Sequence, residues 1–403
     1  MISRRSFLTA ALAASTTACG PLRGAALFFP GSLELRGSTT VPFKLAGNHI
    51  YIVAGIGKQP YSFIFDTGGA AILTPQTQAA LKFPVVGSVN VAGLDDAGKE
   101  SDLVRVPVAS IGGATYSKGA FIVIALPFLT ANPFPALPFG GILGREFFTK
   151  LVTVVDYERS LLTFYEPSIF RPDPSAVTLA LAMRDGNPNV TASIDGRAGS
   201  FDVDTGAAQG LVLTRSFAES SGIERSFHRT VEAVIGHGTG GISIGTQARA
   251  KIFELGSIEL RDPIAGIPRA DAGALASPGL AGNIGAGILH RFTVTLDVPH
   301  GHLYLRPNAH LGDPFEYNRA GVFTERDAGG AENVAFVAPQ SPASEAGIAA
   351  GDAIASVDGR AAGRLSHDQI AAFWEARAGT KVGIGLLREG RPVARTIVLR
   401  DSL

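Results

Sequence analysis

Two aspartates in this chain occupy positions where folding alone gives an acid little reason to be. Asp66 stands in FIFDTGGAAILTP, which begins at Phe63, and Asp204 stands in FDVDTGAAQGLVLT, which begins at Phe201. Each follows one apolar run and precedes another, which sets a carboxylate between two buried strands. A buried carboxylate without a partner is costly, and a residue kept there is commonly kept for chemistry. One Asp-Thr-Gly reads as readily as a tight turn that uses the backbone freedom of glycine. Two copies with matching surroundings are harder to read as turns alone. Two carboxylates brought to one place can share a proton, one acting as base toward water and the other as acid toward a carbonyl oxygen.

The elements that must position these residues are also written twice. IYIVAGIGKQPYSFIFDTG from Ile50 and NVTASIDGRAGSFDVDTG from Asn189 each read as a strand, a glycine-containing hairpin turn and the strand that delivers the aspartate. After each motif comes a threonine able to cap a short helix: Thr74 followed by Pro75, and Thr214 with Gly222 as the stop. Farther on, GGILGREFFTKLVTVVDYERSLLTFY from Gly140 matches GNIGAGILHRFTVTLDVPHGHLYLRP from Gly282, with Asp156 and Asp297 at corresponding places. Asp66 and Gly144 are 78 positions apart, Asp204 and Gly285 are 81 apart. This is the signature of an internally duplicated half-domain.

The pattern over residues 41–314 resembles the aspartic proteases, more closely the retropepsin-like branch than the pepsins. The resemblance rests on the two Asp-Thr-Gly motifs and on the elements Ile142-Leu143-Gly144-Arg145 and Asn283-Ile284-Gly285. It implies a mainly β, bilobed fold with a cleft whose floor carries Asp66 and Asp204 as the catalytic pair. It further implies that Thr67 and Thr205 hydrogen-bond across the lobes, and that Gly68 and Gly206 let backbone N–H groups approach the carboxylates. Arg145 is expected to form a structural ion pair. With both halves in one chain, a monomer would suffice. Where pepsin-like enzymes place a hydroxyl residue after the motif, this chain has Gly69 and Ala207. Loss of a donor to the ionised carboxylate raises the pair's pKa values, so activity is expected nearer neutral pH than acid.

A candidate flap over the cleft lies between Val91 and Val106, and VIGHGTGGISIG from Val234 takes the corresponding place. A plain surface hairpin accounts for the same residues. Gly236, Gly238 and Gly241 satisfy GxGxxG, but the chain continues as a strand where a phosphate loop needs a helix. His300-Gly301-His302 reads as a turn with exposed imidazoles, since no ligand partners stand at metal spacing. No metal or other cofactor is expected.

From about Pro314 the sequence resembles a bacterial PDZ domain, a small α+β module. The motif residues are Ser341-Pro342-Ala343, Ala346-Gly347-Ile348, Gly351-Asp352 and Val357-Asp358-Gly359. Ser366 and Gln369 form a capping box for a helix whose inner stripe is Ile370, Phe373 and Trp374. The resemblance assigns Gly321, Val322 and Phe323 to a loop that holds a peptide C-terminus. In that mode the peptide adds a strand to the sheet edge.

The amino terminus reads as a targeting segment. Ser3-Arg4-Arg5-Ser6-Phe7-Leu8 resembles a twin-arginine export signal, and the apolar stretch Phe7–Ala14 is too short to span a bilayer. Cys19, the only cysteine, stands where a bacterial lipoprotein would be lipidated; cleavage after Ala18 into a soluble periplasmic protein is the alternative. The 35 basic and 35 acidic residues balance, and no basic run interleaves with aromatics, which disfavours nucleic acid as a partner. The expected organisation is an export signal at 1–18, a tether at 19–40, protease lobes at 41–168 and 169–314, and the PDZ domain at 315–403. The expected function is an aspartic endopeptidase acting on peptide or unfolded protein. The alternative is a non-catalytic peptide-binding envelope protein on the same scaffold.

Overall fold

Each aspartate is delivered by a hairpin of the predicted kind. In a computed structural model describing residues 11–13, 31–92, 99–126, 129, 131–238, 241–269, 271, 273–327 and 329–403, strand His49–Ile56 turns into Gln59–Asp66. Strand Asn187–Ile194 turns into Arg197–Val203 in the same way. Alternating apolar residues on these strands face the shared core, where Phe63, Phe65, Phe201 and Val203 are fully buried. The export signal and Cys19 lie outside the described residues, 11–13 apart.

The second apolar-glycine segments return beside the first strands. Phe139–Gly144 runs parallel to Gln59–Asp66 and sets Gly144 opposite Asp66. Leu280–Ile284 runs parallel to Arg197–Val203 and sets Ile284 opposite Val203. The short strands after the motifs, Ile72–Leu73 and Leu211–Leu213, pair antiparallel with those returning segments. Each Asp-Thr-Gly is thereby clamped between two chain passages. The helices that follow begin as expected: Thr77 N donates to Thr74 Oγ1 at 3.2 Å and Phe217 N to Thr214 Oγ1 at 3.1 Å.

The two halves are joined by strands from both. Val152–Asp156 pairs antiparallel with Phe292–Asp297, and each continues into its own hairpin. Asp156 and Asp297 play the same part in their turns, accepting from Arg159 N and His300 N. His300 is further held by Asp297 Oδ1 at 2.8 Å through Nδ1.

Part of the expected tether is structure. Ser32–Glu34 pairs with residues 115–117, and Ser38–Ala46 pairs with Leu161–Tyr165. The physical reason is the alternation Ser-Leu-Glu-Leu, which buries Leu35 in the first-lobe core. The GxGxxG match forms the end of the hairpin Thr230–Gly238 and Gly241–Arg249, with a strand where a phosphate loop needs a helix.

The C-terminal unit has its own core. Its sheet runs in the order Val322–Arg326, Glu332–Val337, Ala353–Val357, Lys381–Arg388, Arg391–Val398. Helix His367–Glu375 starts with the Ser366–Gln369 capping box and buries Ile370 and Trp374.

Candidate active site

The strand ends place the two aspartates at the junction of the lobes, both fully buried. Within each loop the backbone folds back on its own carboxylate: Gly68 N donates to Asp66 Oδ1 and Gly206 N to Asp204 Oδ1, both at 2.8 Å. Between the loops the threonines cross over. Thr67 N donates to Thr205 Oγ1 at 3.1 Å, and Thr205 N to Thr67 Oγ1 at 3.0 Å. The same hydroxyls donate onward to backbone carbonyls of the opposite lobe, Thr67 to Val203 at 2.8 Å and Thr205 to Phe65 at 3.1 Å. Four buried hydrogen bonds thus lock two loops 138 residues apart.

Close approach explains the small residues. A Cβ on Gly68 would stand 2.5 Å from Asp204 Cγ, so the second carboxyl packs directly on the first loop. A Cβ on Gly69 would stand 2.5 Å from Asp66 Oδ2, which leaves no room for a serine without movement.

The electrostatics follow from this crowding. Burial, and then the Asp204 carboxylate beside it, push Asp66 well above the usual carboxylate range. Asp66 Oδ2 has no hydrogen-bond donor, whereas Asp204 Oδ2 accepts from Asn283 Nδ2 at 2.9 Å. Asn283 lies in the returning strand at the place where the first lobe has Ile142. Its sequence signal is an amide in a slot that the other half fills with an apolar residue.

Among the described residues Arg145 does not form the expected ion pair. Its Nη2 donates to Asn187 Oδ1 at 2.9 Å, in the other lobe, because the Gly186–Asn187 turn packs against the guanidinium. Asn187 Nδ2 and Asn189 Nδ2 in turn hold Asp202, whose carboxyl burial pushes up to about 6. This chain runs from the first lobe's helix to the strand that delivers Asp204.

Residues 190–287, which include Asp204-Thr205-Gly206 and Asn283-Ile284-Gly285, match the family model described as aspartyl protease, and residues 315–399 match that of the PDZ domain. The chain carries an aspartyl protease-like domain and a PDZ domain. Among solved structures, it is similar to the aspartic proteinase from Irpex lacteus at 14% identity and a TM-score of 0.45, over 68% of this chain and 99% of that one. No curated protein matches the sequence.

The segment expected to form a flap belongs to the hairpin of strands Val85–Ala92 and Lys99–Ile111; its tip, 93–98, lies outside the described residues. In the PDZ domain, Gly321 precedes the edge strand that Val322 and Phe323 start, and all three line a groove with helix His367–Glu375. The loop is already occupied by a side chain of its own domain. Asn318 Oδ1 accepts from Ala320 N at 3.1 Å and Gly321 N at 2.9 Å, and Asn318 Nδ2 donates to Val322 O at 2.6 Å.

Proposed function

We propose that this protein is an aspartic endopeptidase of the retropepsin-like kind, acting on peptide or unfolded protein substrates, with a PDZ module that binds peptide. The observation that carries the reading is the cross-lobe threonine lock around two buried aspartates. Inert turns would not need that arrangement.

Two carboxylates side by side cannot both ionise, a general property of acid-protease pairs. Asp66, with no donor on Oδ2, holds the shared proton. Asp204, which accepts from Gly206 N and Asn283 Nδ2, acts as the base. A water between them gives a proton to Asp204 and attacks the peptide carbonyl, while Asp66 protonates the carbonyl oxygen. The resulting gem-diol collapses to amine and acid as the proton on Asp204 passes to the leaving nitrogen and Asp66 takes back a proton from a gem-diol hydroxyl. The reaction so drawn uses no metal, cofactor or covalent enzyme intermediate.

The amino-terminal signal supports export to the periplasm, with Cys19 either lipidated or left unmodified by cleavage after Ala18, and the two-lobe chain acting as a monomer. Cleavage of a reduced, carboxymethylated protein across pH 3 to 8 tests the central reading. Wild type should cleave, with an optimum above about pH 4, the range of unperturbed carboxylates; Asp66→Asn and Asp204→Asn should not. Cleavage that survives either substitution sinks the shared-pair mechanism. A wild type that binds but does not cleave favours a non-catalytic peptide-binding protein.

A further inference from the structure

We propose that the cavity between the second lobe and the PDZ domain is a strand-binding exosite, which takes an extended internal stretch of substrate between two free sheet edges and leads it toward the aspartates. The proposal deepens the endopeptidase reading and rests on it for the identity of its occupant as substrate.

Strand Thr230–Gly238 ends the second-lobe sheet and strand Val322–Arg326 ends the PDZ sheet; among the described residues nothing pairs with their outer sides. Such an edge presents backbone N–H and C=O groups ready for another strand. Both edges line one cavity of about 1070 Å³, and both line it with consecutive residues, 230–235 and 321–324. Side chains alternate across a strand, so a wall of consecutive residues is a strand seen edge-on.

The two edges are clasped at one end. His237 Nε2 meets Glu325 Oε1 at 3.1 Å, and its ring stands edge-on to Phe323 with centroids 6.2 Å apart. The cavity wall also holds two buried donors, Trp374 Nε1 and Arg291 Nε, and one buried acceptor, Gln209 Oε1, that lack hydrogen-bond partners. An extended backbone supplies the complement of both kinds. The wall continues through Ala208, Gln209 and Gly210, which begin two residues after Gly206, so the cavity reaches the second aspartate's loop.

The occupant is an internal stretch, not a chain end. Asn318, with a neutral amide, already fills the loop where a terminal carboxylate would sit and takes up Ala320 N, Gly321 N and Val322 O. What remains open is the strand edge, where main-chain pairing gives affinity without reading a terminus.

The test uses the full-length Asp66→Asn chain, so that binding is measured without cleavage. The probe is a fluorescein-labelled, reduced and carboxymethylated protein, followed by anisotropy. Ala371→Arg on the PDZ helix and Ala233→Arg on the second-lobe edge should each weaken binding at least tenfold. The acid and C-terminal amide of one apolar eight-residue peptide should compete equally. Hydrogen exchange, which needs no further substitution, should show the probe protecting both 230–235 and 321–324. Protection of 321–324 alone, a loss with Ala371→Arg only, or a tenfold preference for the free acid would overturn the two-edge site. With the active chain, Ala371→Arg should lower kcat/KM for the long unfolded protein at least tenfold more than for a six-residue peptide; equal losses would overturn the exosite role. Binding without cleavage by wild type would sink the endopeptidase reading and leave the strand site standing.

Discussion

In the first lobe the strand behind the Asp66 loop carries Ile142-Leu143-Gly144; in the second, the strand behind the Asp204 loop carries Asn283-Ile284-Gly285. At the loops themselves the lobes are nearly interchangeable, with the same internal N–H donor at 2.8 Å and the same crossed threonine bonds. One strand away they part. An amide reaches Asp204 Oδ2, while Asp66 Oδ2 receives no donor. The shared geometry holds the two acids together, and the unshared residue gives only one of them an amide donor. A duplicated scaffold can therefore keep its symmetry in the backbone and lose it in a single side chain.

The largest effect breaks both lobes alike. Asp66→Asn and Asp204→Asn should each lower kcat by about 10²–10⁴-fold, the range for a general acid or base. The double variant should lose little more than either single one, because the pair acts as a unit. Additive losses in steady-state kinetics would contradict a shared proton.

Asn283→Leu makes the second lobe resemble the first. It should lower kcat/KM about tenfold, the worth of one hydrogen bond to a charged group. It should also move the acid limb of the pH profile upward, since the ionised form loses a donor. Ile142→Leu, the matching control, should leave that limb in place. An unmoved acid limb in Asn283→Leu would remove the basis for assigning Asp204 as base.

The threonine lock is shared, so Thr67→Val and Thr205→Val should behave alike. Each leaves a buried N–H of the other lobe without its acceptor and should cost about 1–3 kcal/mol in denaturant unfolding. A loss confined to one of them would mean that the lock is not reciprocal.

Asp66 also links stability to pH. Its raised folded value means that its contribution is complete below the unfolded value near 4 and is lost as pH rises toward the folded one. Asp66→Asn removes that loss. The variant should gain on wild type between pH 4 and 8, by on the order of 1–3 kcal/mol in chemical unfolding. A difference that is flat with pH would show that Asp66 titrates normally. The smallest change is expected for Ala207→Ser, which returns a hydroxyl near Asp204 and should shift the acid limb down by a fraction of a pH unit.

Much of this was legible in the residues because it depends on local chemistry. Hairpin turns, the Thr74 and Thr214 caps and the Ser366 capping box are set by neighbours a few positions away, and all form as their residue types require. The strand at 32–34 was missed because the five residues between Gly31 and Gly37 hold too few repeats of their alternation to outweigh a linker reading. Arg145 was misassigned because its partner, Asn187, lies 42 positions away.

The sequence by itself determined the duplication, the pairing of two acid-bearing loops and the separate C-terminal module. Repeated motifs and turn residues encode these without reference to distant contacts. Only the tertiary structure decided that Asn283 reaches Asp204 and that the free edge of the second lobe faces the free edge of the PDZ sheet. Those outcomes depend on parallel register between strands some 80 residues apart and on how one domain packs against another. Register is fixed by the summed burial of many side chains, so no short stretch of sequence contains it.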